Sequence, residues 1–297
     1  MSNMTVRILV GLIGIPLMLA AVIAGEWFFN LVVIGITTFA LWEFYHLCES
    51  KHAAANRSVG MVWSLVLQGA IAVAISRGQI WSLSWMLILT GIIILGTLIT
   101  FAAELWRNLP NALLNTAMTI IGILYVTVSL SALMLLRSIP ETLLGNQANV
   151  LPQGATLVLV AFGGVWVCDS VAYFSGLAFG RHKLFPRVSP KKSWEGAVGG
   201  FVGSVAAVWA LCAWLVPDFP LPHALGAGVL IGVVGPIGDL AESLLKRDAE
   251  LKDSSQLIPG HGGFLDRFDS MMFVAPILLL YILLAQSHMW PALRGGL

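Results

Sequence analysis

Between Ser243 and Asp269 the chain reads SLLKRDAELKDSSQLIPGHGGFLDRFD, setting Lys246, Arg247, Lys252 and Arg267 beside Asp248, Asp253, Asp266 and Asp269. Cations of this kind hold phosphates, and carboxylates hold a divalent ion that the same phosphates also touch. Pro259, Gly260, Gly262 and Gly263 flank His261. Residues without a Cβ let the backbone approach a ligand closely. His261 is open to three roles: general base, donor to a phosphate, or fixed loop residue. An ionised phosphate oxygen needs no base to attack, which favours the last two.

A second basic stretch, RHKLFPRVSPKKSWEG from Arg181 to Gly196, has five Lys and Arg residues before Glu195. Lipid-headgroup anchoring and topology account for Arg181, Lys183 and Arg187. Ser189, Pro190, Lys191, Lys192 and Ser193 stand at a helix entrance, where free N–H donors add to two ammonium groups and suit phosphate oxygens. Asp169, Asp239 and Glu242 lie inside apolar stretches, where an ionisable group is costly and tends to mark function. Trp166, Asp169 and Tyr173 share one helical face, as do Asp239, Glu242, Ser243 and Lys246. Gly235, Pro236 and Gly238 are expected to kink or break that second helix, and broken helices at membrane depth line cavities. The plainer alternative is that these acids pair structurally or reach the surface. Asp266 and Asp269 also suit helix capping, towards which Asp269 leans. Glu43 and His46 form an i, i+3 pair that is expected to sit at the membrane interface.

The elements that must position these residues are membrane helices. The 297 residues are 58% hydrophobic and 10% charged, with mean hydropathy +0.88, which excludes an ordinary soluble domain. Apolar runs are continuous rather than alternating, so the expected fold is all-α and polytopic. Nine spans are expected, at roughly 8–25, 27–47, 59–76, 80–101, 111–136, 155–179, 196–216, 221–245 and 270–288. The first is read as a retained span, being long for a signal peptide and preceded by one positive residue. Residues 1–137 are expected to form an N-terminal set of about five spans, and 138–297 a catalytic region of about four. Cys48, Cys168 and Cys212 have no metal or disulfide spacing and read as apolar packing. With the N-terminus inside, 13 of the 16 Lys and Arg residues fall on one side, which should be cytoplasmic. Loops 180–195 and 246–269 then open on that side, putting the polar site at the cytoplasmic ends of the C-terminal helices.

The stretch from Ser243 to Asp269 resembles the signature of the phosphatidate cytidylyltransferase, or CDP-diacylglycerol synthase, family. The resemblance is carried by Ser243, Lys246, Arg247, Lys252, Asp253, Ser255, Ile258, Pro259, His261, Gly262, Gly263, Asp266, Arg267 and Asp269. SPKKSWEG, CDSVAYFSG and GPIGDLAES extend it over about residues 155–288. It implies magnesium-dependent transfer of CMP from CTP to phosphatidate, giving CDP-diacylglycerol and pyrophosphate at the cytoplasmic face of the cell membrane. It also implies that Asp239 and Asp266 are ligands of one or two Mg2+ ions, with Asp169 and Glu242 as additional ligands or their supports. Lys191, Lys192, Lys246, Arg247, Lys252 and Arg267 would divide between the CTP phosphates and the lipid phosphate. The bilayer is a necessary partner, a homodimer is compatible, and nucleic acid is not expected. A CTP-dependent lipid kinase of the polyprenol type is the nearest alternative, and an ion-coupled transporter a more distant one that leaves the cations and the His-Gly-Gly loop unexplained.

Overall fold

The computed structural model describes residues 3–139, 151–216 and 219–294, with side chains described for 11–139, 151–216 and 219–285. The side chains of Arg7 and Arg294, two of the 16 Lys and Arg residues counted above, lie outside this set. Among the described residues the elements are helical apart from one hairpin: α1 (Asn3–Ala24), α2 (Glu26–Glu49), α3 (Arg57–Ser76), α4 (Leu83–Arg107), α5 (Ala112–Gly122), α6 (Ser129–Arg137), α7 (Gln153–Phe179), β1 (Lys183–Phe185), β2 (Ser189–Ser193), α8 (Trp194–Leu215), α9 (Leu221–Asp248) and α10 (Leu265–Arg294). A π-helical turn, Ile123–Val128, joins α5 and α6 into one continuous rod. Among the described residues eight helices are long and apolar enough to cross a membrane, and Gly11–Ala24 of α1 is a shorter apolar helix. The protein is an all-α integral membrane protein.

Helix starts follow local chemistry. Asn56 accepts from Val59 N–H (3.3 Å), Ser82 from Trp85 N–H (3.4 Å) and Ser193 from Gly196 N–H (3.2 Å), each satisfying a donor that the first helical turn leaves open. Of the kink or break expected at Gly235, Pro236 and Gly238, the break is absent: α9 runs unbroken through Pro236, and irregular backbone occurs in the Ile123–Val128 turn. Proline removes a single hydrogen bond, a loss that a membrane helix packed among neighbours tolerates.

The chain divides into two compact units, one comprising the residues up to Met134 with Leu245–Phe268, the other Leu135–Leu244 with the residues from Asp269 onward. In the first, Tyr45 is fully buried and donates to the Thr119 carbonyl at 2.9 Å. Its ring fills space left by Gly60 and Gly122, where added Cβ atoms would lie 2.2 and 2.4 Å from it. Buried polar groups are paired between helices: Gln68 donates to Thr37 (2.9 Å) and Ser131 (3.3 Å), and Thr127 to Ser64 (2.9 Å). Hydrocarbon cannot satisfy such groups, so they hold helices together. Outward-facing Leu87, Leu95 and Leu98 of α4 stay exposed, as lipid-facing residues should.

In the second unit α7 and α8 approach closely because small residues line their contact. A Cβ on Gly200 would lie 2.8 Å from both the Ala172 Cβ and the Cys168 carbonyl oxygen, and one on Gly203 would lie 2.9 Å from Val171. α9 joins them where Ser204 Oγ donates to the Gly228 carbonyl at 3.0 Å. Lipid tails are as apolar as leucine, so close backbone approach and hydrogen bonds replace the hydrophobic drive between these helices. Cys48, Cys168 and Cys212 are free and buried, in keeping with a packing role. Gly200→Val should cost about 1–3 kcal/mol by overpacking. A fall in the thermal midpoint of the detergent-purified protein, with Gly69→Ala unchanged because nothing lies within 4 Å of that position, would verify it.

Candidate active site

In the first unit the loop between α9 and α10 is organised by carboxylates. Asp266, in the first turn of α10, has a side chain 3% exposed; its Oδ1 accepts from Lys246 Nζ at 2.5 Å. Its Oδ2 accepts from Ser254 N–H (2.9 Å), Ser254 Oγ (2.9 Å) and Gly263 N–H (2.8 Å). The bond back to Gly263 ties the backbone just before α10 to its first turn. Breaking a buried ion pair of this kind by removing one partner typically costs ~3–5 kcal/mol. The His-Gly-Gly turn is closed by Ile258 N–H on the Gly262 carbonyl (2.9 Å) and His261 N–H on the Ile258 carbonyl (2.9 Å). Gly262 has φ +80°, a conformation that side chains resist, and a Cβ there would lie 2.6 Å from Asp266 Oδ2.

Lys252, Arg247 and Arg267 are exposed, and Arg247 donates to the Leu251 carbonyl at 2.9 Å. His261 is half-buried. A cavity of about 610 Å³ opens beside the loop, lined by Trp42, His46, Lys252, Asp253, Ser254 and Ser255 among others. Cationic side chains free to move beside a fixed backbone turn suit the binding of a phosphorylated molecule.

In the second unit the basic loop 180–195 is the β1–β2 hairpin, pairing Lys183 with Ser193 and Phe185 with Ser189. Glu195 clamps it to the start of α8, accepting from Arg181 N–H (3.1 Å), His182 N–H (3.2 Å) and His182 Nδ1 (2.6 Å). The clamp aims Lys192 at α9, where its ammonium pairs with Asp239 Oδ2. Ser243, one turn along, donates to Asp239 Oδ1 at 3.2 Å. Lys192 and Asp239 are 30% and 31% exposed, so the pair is open to exchange. Lys191 points away and is exposed, and Ser189 is half-buried.

The structure thus brings Lys192, Asp239 and Ser243 together in one unit, and Lys246, Asp266, Ser254 and Gly263 in the other. Two expectations need correction. Of the acids expected to be buried, Glu242 is fully so, Asp239 half so, and Asp169 is exposed, because its side of α7 is left uncovered. Asp269 does not cap a following helix: α10 begins four residues earlier, at Leu265, and the N–H groups at its start are met by Glu43. Glu43 is 0% exposed and bonded into the Ser254–Leu265 loop, whereas its neighbour His46 stays half exposed on Trp42. An acid flanked by Trp42 and Phe44 in an apolar span was the available signal for Glu43.

Among the described residues no three His, Cys, Asp or Glu side chains form a ready-made metal cluster. The atoms that Asp239 and Asp266 could offer an ion are hard carboxylate oxygens, with the Ser243 and Ser254 hydroxyls beside them; each carboxylate faces a lysine ammonium, and among the described residues no thiolate or imidazole touches either. That chemistry fits Mg2+ rather than a softer ion.

Residues 5–285 match the cytidylyltransferase family. The chain belongs to that family. It is 31% identical to the phosphatidate cytidylyltransferase of Bacillus subtilis over 293 residues, 96% of this chain and 99% of the relative. Identity is 33% to that of Brucella abortus over 291 residues, covering 95% and 94%, and 32% to that of Synechocystis over 303 residues, covering 94% and 97%. The family match therefore takes in the N-terminal helices, beyond the segments from about residue 155 onward that carried the sequence resemblance. In this family member Lys192→Ala should weaken substrate binding about tenfold or more, whereas Lys191→Ala, whose side chain meets no carboxylate, should do less. Steady-state KM values for the two variants measured side by side would show the order.

Proposed function

We propose that the protein transfers CMP from CTP to phosphatidate, forming CDP-diacylglycerol and releasing pyrophosphate, in the cytoplasmic membrane with its site facing the cytoplasm. The observation that carries this reading is full-length likeness to three proteins each named phosphatidate cytidylyltransferase. The concentration of Lys and Arg in loops 180–195 and 246–269 supports the orientation.

The reaction joins two anions. A phosphatidate oxygen attacks the α-phosphorus of CTP, the bond from that phosphorus to the bridging oxygen breaks, and pyrophosphate departs with the electron pair. Two unit charges 4 Å apart repel by roughly 4 kcal/mol at an effective dielectric of 20, so several cations must surround the reacting groups. Lys192 and Lys246 each begin as counter-ion to a carboxylate, and their ammonium groups are available to phosphate oxygens. Arg247, Lys252 and Arg267 supply further charge from exposed positions. Lys191 adds an ammonium group, Ser189 and Ser243 add hydroxyls, His261 adds its imidazole, and Gly262 and Gly263 let the backbone turn come close to the substrates. Asp239 and Asp266 would hold Mg2+, and Glu242 and Asp169 would support or add to that ligand set; the ion supplies charge neutralisation at the phosphates. Acyl chains stay in the bilayer, and only the headgroup needs polar surroundings.

The direct test incubates purified protein with α-labelled CTP, phosphatidate and Mg2+. CDP-lipid with pyrophosphate is expected. Release of CDP with a phosphorylated lipid would instead identify a kinase, and no lipid product would reject the reading. Asp239→Asn and Asp266→Asn should each lower turnover at least 100-fold while the protein still inserts into the membrane. Asp239→Asn is the cleaner of the two, since that side chain is 31% exposed and meets Lys192 and Ser243, whereas Asp266 also holds its loop together. Near-normal turnover in Asp239→Asn would remove that residue from the reaction.

A further inference from the structure

Glu43 is 0% exposed on α2, a mostly apolar helix, and reaches a loop more than 200 residues later in the chain. Its Oε1 accepts from Ser255 Oγ at 2.6 Å and Phe264 N–H at 3.0 Å. Its Oε2 accepts from Ser254 Oγ at 3.0 Å and Leu265 N–H at 2.7 Å. Two of these donors are backbone N–H groups at the start of α10, left without partners by helix geometry, so Glu43 caps α10 from another helix. One turn earlier on α2, Phe39 stacks on Phe264 with ring centroids 5.0 Å apart and planes 17° from parallel.

The capping carboxylate also touches the partners of Asp266. Ser254 Oγ lies 3.0 Å from Glu43 Oε2 and 2.9 Å from Asp266 Oδ2, and a hydroxyl has one proton to share between them. A Cβ on Gly263 would lie 2.3 and 2.4 Å from the two Glu43 oxygens and 2.2 Å from Ser254 Oγ. The second glycine of the His-Gly-Gly turn is therefore required by Glu43, as the first is by Asp266. Fastening a loop to a helix does not need an ion, since apolar residues of similar volume often replace buried charges without loss of stability. A carboxylate adds fixed acceptor geometry: four donors converge on two oxygens and set where Asp266 stands.

We propose that Glu43 is a positioning residue of the reaction, holding Ser254, the His-Gly-Gly turn and the first turn of α10 so that Asp266 and Lys246 keep their working geometry. This rests on the nucleotidyl transfer proposed above. Glu43 itself touches no substrate.

The test compares the parent chain with Glu43→Gln, full length and in detergent micelles, by two readouts. In the transfer assay kcat should fall about 10- to 100-fold, the scale of a misplaced site, with KM for CTP changing less than about threefold. In limited trypsin digestion, cutting after Arg247, Lys252 or Arg267 should accelerate several-fold, while cutting in the Arg181–Lys192 hairpin stays at the parental rate. If Glu43→Gln does not fold, Ser255→Ala, which deletes one of the four donors, should give the same pattern at smaller amplitude. A kcat within about threefold of the parent, or faster cutting in both loops alike, would overturn the proposal, the latter because it marks a general structural role. Failure of the parent to form CDP-lipid would count against the assigned reaction instead, leaving the digestion result to decide whether Glu43 holds the loop.

Discussion

A carboxylate withdrawn from water has to be met by donors or by positive charge, and this requirement organises the loop between α9 and α10. Asp266 is met by Lys246, two backbone N–H groups and a serine hydroxyl. Glu43 is met by two more backbone groups and two hydroxyls. With one ammonium group between two acids, the remaining negative charge rests on the positive end of α10 and on oriented N–H dipoles. The loop can present a flexible-looking composition, rich in Gly, Ser and Pro, and still hold a defined course, because each acid satisfies donors drawn from distant points along it.

The helices of each unit solve a different problem. Between helices in lipid there is little hydrophobic gain to be made, so contact depends on how closely backbones approach. Gly200 and Gly203 serve that purpose between α7 and α8, and Gly60 and Gly122 form the recess that Tyr45 occupies. The same packing gives the basic hairpin a rigid base: Ser193 caps α8, Glu195 clamps the preceding backbone, and Lys192 is delivered to Asp239. A lysine on a free loop would lose more conformational entropy on meeting a phosphate than one already aimed.

Both lysines that pair with the central acids have two assignments. They neutralise a carboxylate, and in the proposed reaction they neutralise phosphate oxygens. Charge balance of this kind keeps a polar site tolerable beside hydrocarbon while leaving its cations available, since an ammonium group is a point charge whose partners exchange without strict geometry.

Membrane helices, their number and approximate limits, the three packing cysteines and the Ser243–Asp269 signature were legible in the sequence because hydrocarbon imposes a length and composition that local windows record. Local reasoning also reached the helix entrance at Ser193. It misplaced Asp269 because a helix start depends on which donors are satisfied from outside the segment, and it expected a break at Pro236 that packing absorbs. Glu43 shows the boundary most clearly. Its side chain is an ordinary acid in an apolar span, and nothing nearby in the chain reveals that its partners lie beyond residue 250. What the sequence determined alone was the solvent for each segment and the chemistry on offer. Which acid meets which donor was decided only by the tertiary structure, because hydrogen bonds act over about 3 Å in space and carry no trace in sequence separation.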